Sequence, residues 1–143
     1  MKYLKKLFLI SSLIIIFSNP LHAAKFKWEK IIGTEDGGTD FYLDRKTIYK
    51  VGNYKYFWAL SNYLISGPDD GPEKSVVNHF MVNCNSLELK VITFTTFLQH
   101  MGRGQIDMDF ILPEADPEQF VWSKFDPELH AFGYIMKEVC NSR

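Results

Sequence analysis

The residues able to do chemistry are few and lie far apart. Cys84 and Cys140 are the two cysteines, 56 positions from one another. An even count in an exported chain reads most simply as one intramolecular bridge. A metal pair and a reactive thiol are the alternatives, and neither finds its spacing: there is no Cys-x-x-Cys unit and no metal-ligand motif around either residue. His79, His100 and His130 lack the His-x-x-x-His spacing of a zinc site. Asp107 and Asp109 would share one side of a strand, where two carboxylates can coordinate a cation or assist hydrolysis, but a solvated strand face explains the same pair. Gly102-Arg103-Gly104 lacks the Gly-Lys-Ser/Thr ending of a phosphate loop and reads as a turn. Ser61, Ser75 and Ser123 are not flanked by the glycines of a nucleophile elbow. No catalytic residue, metal ligand or cofactor is assigned, and the expectation is a non-enzyme.

Export is inferred from the N-terminus. Lys2, Lys5 and Lys6 precede the apolar run Leu7 to Phe17, and Ser18-Asn19-Pro20-Leu21-His22-Ala23-Ala24 follows. These are the three regions of a secretory signal peptide, assigned to residues 1–23, with cleavage after Ala23 or Ala24. The run is shorter than the roughly 20 apolar residues that span a bilayer, so no transmembrane anchor is expected. No cysteine stands at the junction to carry a lipid. Removing the signal takes three lysines and no acid, so 16 basic residues become 13 against 17 acidic ones, a formal charge of −4. A mildly acidic surface argues against nucleic acid and against electrostatic docking on anionic membranes. Residues 24–143 fit one domain with one modest core. A bridge between Cys84 and Cys140 would stabilise such a domain by about 4 kcal/mol in the chain-entropy account.

The elements that must position these residues are strands first and one helix last. Phe26 to Ile32, Asp40 to Asp44, Tyr54 to Ile65, Val76 to Cys84, Leu87 to Leu98 and Gln105 to Leu112 carry the alternation or the aromatic and β-branched content of strands. Thr34 to Gly38, Val51-Gly52-Asn53, Ser66 to Pro72 and Asn85-Ser86 break them. Within Val76 to Cys84, Cys84 points with Val76, Asn78, Phe80 and Val82. The closing segment offers Asp126 as N-cap, Pro127 at the first helical position and Glu128 in the first turn. Leu129, Phe132, Met136, Val139 and Cys140 then recur at helical spacing. The expected fold is α+β, an antiparallel sheet of about five or six strands with a C-terminal helix packed on one face, the bridge joining helix to sheet.

Aromatic residues crowd the first half of the domain: Trp28, Phe41, Tyr42 and Tyr49 precede Tyr54, Tyr56, Phe57, Trp58 and Tyr63. One sheet face and one helix do not readily bury them all. Tyr54, Tyr56 and Trp58 alternate onto one face and form the candidate interaction surface, for a protein partner, a second copy or a glycan; core packing is the competing explanation.

Several of these residues, in order, carry a resemblance: Trp28; Phe41-Tyr42-Leu43-Asp44; Thr47-Ile48; Trp58-Ala59-Leu60-Ser61-Asn62-Tyr63; Ser75 with Cys84 nine residues on; Met101-Gly102-Arg103-Gly104; Trp122; and Cys140. This ordered set, spanning nearly all of residues 24–143, resembles the bacterial surface-adhesin protein E family. Arg45 departs from the pattern, standing where a proline often follows the aspartate, and Val82-Asn83 replaces an aromatic-acidic pair. The resemblance implies an antiparallel sheet backed by a helix, a Cys84–Cys140 disulfide and a possible homodimer through the sheet. It also implies an adhesin's role, binding host matrix proteins such as vitronectin and laminin, with no binding residue carried over by motif. The expectation is therefore an exported, non-enzymatic binding domain of the bacterial envelope, in the periplasm or at the cell surface, with a protein partner of unknown identity. The alternative is a periplasmic housekeeping or inhibitor-like domain that contacts another envelope protein.

Overall fold

A computed structural model describes residues 26–65, 71–111 and 122–143. The expected signal peptide, residues 1–23, and the breaker-rich stretch 66–70 lie outside the described residues. In chain order the elements are β1 (Glu29–Gly33), β2 (Thr39–Leu43), a 3-10 turn (Arg45–Thr47), β3 (Tyr49–Val51), β4 (Tyr54–Tyr63), β5 (Ser75–Asn83), β6 (Glu88–Gln99), β7 (Arg103–Ile111), β8 (Ser123–Lys124) and α1 (Ala131–Asn141). All strand pairs are antiparallel, in the order β1-β2-β4-β5-β6-β7, with β3 beside β4 and β8 beside β6. The expected α+β sheet with a C-terminal helix is what forms, enlarged by the short strands β3 and β8.

Short-range chemistry sets the connections. Between β1 and β2, Asp36 Oδ1 accepts from the Thr34 hydroxyl at 2.6 Å and from the Gly38 amide at 2.9 Å, and Gly37 takes a φ of +70°. Between β3 and β4, Gly52 at φ +58° opens a two-residue hairpin loop, setting Val51 opposite Tyr54. After β5, Asn83 Oδ1 accepts from the Asn85 amide at 3.0 Å. Asp44, buried, accepts from the Lys46 amide at 3.0 Å to cap the 3-10 turn and from the Lys27 amide at 2.8 Å to fasten the chain entering β1.

Alternation along β4 divides the core between the two sheet faces. Phe57 and Ala59 join Phe41, Leu43, Phe80, Val82 and Leu89 beneath the helix, which contributes Ile135, Met136 and Val139. Trp58 and Leu60 point the other way, where Leu60, Val77 and Phe97 form a second, smaller core packed by Phe26, Trp28, Tyr42 and Met101. A register shift in the β5–β6 pairing at His79/Phe80 lies between the segments that feed the two cores.

The helix begins later than its sequence signals suggest. Asp126 does cap, its Oδ1 accepting from the Glu128 amide at 2.8 Å, but it caps a turn and no helix follows directly. His130, extended at φ −125° and ψ 136°, interrupts the chain, and α1 starts at Ala131. The turn folds back over Gly133, where any Cβ would collide with the Asp126 carbonyl. Leu129 consequently stands 79 % exposed and is no part of the buried stripe. The remainder of the stripe packs as expected, with Phe132 edge-on to Phe41 and Phe80.

Candidate interaction surface

The side of β4 away from the helix carries Tyr54, Tyr56 and Trp58, and pairing with β3 extends the row. The Gly52-Asn53 loop fixes the register, so Tyr49 lies opposite Tyr56 and Val51 opposite Tyr54. Tyr49 and Tyr56 stack at 4.9 Å between ring centroids, tilted by 7°. Trp122, entering β8, stacks on Tyr54 at 5.6 Å. On the other flank, Trp58 is opposite His79 of β5 and stacks on its imidazole at 4.5 Å and 10°. Phe26 follows at 5.4 Å from Trp58 and is itself stacked on Trp28 at 4.7 Å.

The three sequence-predicted residues therefore share one face but not one environment. Tyr54 is 37 % exposed and Tyr56 half-buried, while Trp58 is drawn into the second core. The most exposed ring of the row, Tyr49 at 48 %, and its neighbour Val51 belong to the same surface. That extension was readable from the two-residue loop, which brings Tyr49 onto Tyr56. His79 was not, because alternation in a strand says nothing of its stacking partner.

Burial pushes the His79 imidazole below its ordinary range. Its Nε2 is buried and without a hydrogen-bond partner, as is the hydroxyl of Thr93, the residue opposite it on β6. The half-buried imidazole lies against the rings of Trp58, Tyr56 and Tyr49. Asp107 and Asp109 are exposed on β7, where Asp109 Oδ1 accepts from the Thr95 hydroxyl at 2.7 Å. Among the described residues no group of His, Cys, Asp or Glu is placed to hold a metal ion. None of the described helices is long and apolar enough to cross a membrane.

Gly102-Arg103-Gly104 belongs to the β6–β7 turn, and its neighbours are structural. The Ser75 hydroxyl donates to the Gln99 carbonyl at 2.6 Å and accepts from the Gly102 amide at 2.9 Å. Asn62 Oδ1 accepts from the Met101 amide at 2.8 Å. Met101 and Gly102 both take positive φ, 63° and 65°. Two buried polar side chains on β4 and β5 thus hold the turn against the sheet.

A disulfide joins Cys84 to Cys140, with 5.6 Å between the Cα atoms, tying the end of β5 to the last turn of α1. An antiparallel sheet with a C-terminal helix bolted to it, two small cores and an aromatic outer face define a class of compact disulfide-linked α+β domains. Within that class the assignment is specific: the model of the surface-adhesin protein E family matches residues 28–141, and this chain belongs to that family. The fold is that of protein E of Haemophilus influenzae. Its selenomethionine form superposes with a TM-score of 0.52 at 16% identity, covering 78% of this chain and 84% of that one. A second crystal form gives 0.50 at 17% identity, covering 78% and 86%. No curated protein matches the sequence.

Proposed function

We propose that this chain is exported by its N-terminal signal and acts at the bacterial surface as an adhesin-like domain, binding a protein partner through the row Tyr49, Tyr54, Tyr56 and Trp58. Family membership supports the adhesin-like role. The observation that carries the surface is the exposure of Tyr49 and Tyr54 on the sheet face turned away from the helix. Aromatic rings with a polar tip are the side chains that anchor protein contacts, where the ring is desolvated and the hydroxyl finds a partner. Tyr49 is already stacked on Tyr56 and Tyr54 on Trp122, so these rings are held in place before a protein partner arrives and lose little freedom on binding it.

The test uses residues 24–143 against immobilised vitronectin and laminin. Wild-type protein is expected to bind at least one, and Tyr49→Ser with Tyr54→Ser to weaken that binding at least tenfold while the circular dichroism spectrum stays unchanged. Unaltered binding by the double variant would remove the aromatic row from the reading. Protease shaving of intact cells separates the adhesin from a periplasmic domain, since only the former is cleaved.

A further inference from the structure

β7 is the last strand of the sheet path, and among the described residues it has a neighbouring strand on one side only. Every residue from Arg103 to Phe110 is exposed. Three of them are large and apolar: Ile106 at 42 %, Met108 at 49 % and Phe110 at 47 %. They recur at every second position, with Asp107 and Asp109 between them. An edge of this kind is a template for another strand.

A second copy of β7 fits it poorly. Antiparallel self-pairing that sets Met108 opposite Met108 sets Asp107 against Asp109 on both sides of the axis. Sliding to the neighbouring apolar registers opposes Asp107 to Asp107, or Asp109 to Asp109. Like charges directly opposite one another across strands are destabilising. The register shift between Thr96 and Phe97, where Asp107 is the extra residue of β7 and Ile106 turns to the face opposite Met108, also interrupts long regular pairing. Regular pairing holds over Met108–Ile111, opposite Thr93–Thr96.

We infer that the outer edge of β7 accepts an extended segment of a partner protein whose residues alternate between apolar and basic. Its apolar side chains lie against Met108 and Phe110, and its lysines or arginines face Asp107 and Asp109. The backbone ladder supplies affinity and the alternating side chains supply selectivity. This edge is separate from the aromatic row, and the inference does not rest on the reading given for that surface.

A short peptide of alternating valine and lysine, blocked at both ends, is titrated into isotope-labelled residues 24–143, and amide shifts are followed by NMR. Shifts centred on β7 are expected, with affinity at least tenfold above that of the valine-glutamate counterpart. Binding is lost when alternate backbone nitrogens of the peptide are methylated, in one of the two phases. Asp107→Lys reverses the preference between the two peptides. If that variant does not fold, the glutamate and methylated peptides decide the matter alone. Equal binding of both peptides, survival of binding after methylation in both phases, shifts away from β7, or self-association in place of peptide binding would each overturn the inference.

Discussion

Lys55 closes the C-terminus of α1 by donating from its ammonium to the Ser142 carbonyl at 2.6 Å. The same Nζ reaches the carbonyls of Val139 at 3.0 Å and Cys140 at 3.3 Å. The last carbonyls of a helix have no partner within it and carry its negative pole, so a cation from the sheet answers both needs. Lys55→Met keeps the aliphatic stem and removes the charge. It is expected to lower unfolding free energy by about 2 kcal/mol, the scale of a charge-assisted hydrogen bond in a half-buried site. Urea denaturation checks this, with the midpoint falling and the slope unchanged.

The disulfide fastens the same helix end. Cys84→Ala with Cys140→Ala is expected to lower stability by about 4 kcal/mol, the value for a loop of this length in the chain-entropy account. Combined with Lys55→Met, the losses should not add. Once the bridge is gone, the final turn frays and the lysine holds less. A double-mutant cycle from urea melts measures the coupling, and strict additivity would show that the two fastenings act independently.

Much of this layout was legible in the sequence, and the failures have physical causes. Period-two alternation in Tyr54 to Ile65 put Trp58 with Tyr54 and Tyr56, on the face opposite Phe57, and the two cores divide in that way along β4, which ends at Tyr63. The disulfide's pairing followed from the cysteine count and the family resemblance. The start of α1 was misread because Asp126-Pro127-Glu128 is a sound local signal that tertiary packing against Gly133 overrides. Stacking of Trp122 on Tyr54 joins residues distant in sequence, and no local pattern encodes it. Arg45, a departure from the family pattern, ties Glu29 of β1 at 3.1 Å to Glu138 of α1 at 3.0 Å.

Gly102 marks where the family pattern is structural. At φ +65° it occupies a conformation that side chains resist, and an added Cβ would stand 2.9 Å from Val77 Cγ2. Gly102→Ala is expected to cost about 2 kcal/mol from backbone strain and crowding in the second core. Ser75→Ala leaves the Gly102 amide without its acceptor in a buried site and should cost about 1–3 kcal/mol. Thermal unfolding of both variants tests this, and an unchanged midpoint for Ser75→Ala would show that the turn holds itself.

His79 makes stability depend on pH in a definite direction. Burial lowers its folded pKa below the ordinary value of 6.5, because the charged imidazole is denied water. Above about pH 6.5 the ring is neutral in both folded and unfolded chains, and its contribution is fully present. As pH falls through that value the unfolded chain takes up a proton that the folded one refuses, and stability is lost until the folded pKa is reached. Unfolding free energy measured by urea between about pH 8 and pH 5.5 should decline on the acid side in the wild type. It should decline less in His79→Phe, which keeps a ring against Trp58 and has nothing to protonate. Replacing His79 also removes the buried nitrogen that lacks a partner, so at neutral pH the variant is expected to be at least as stable as the wild type. A variant that keeps the full acid-side decline would assign that pH dependence to other groups.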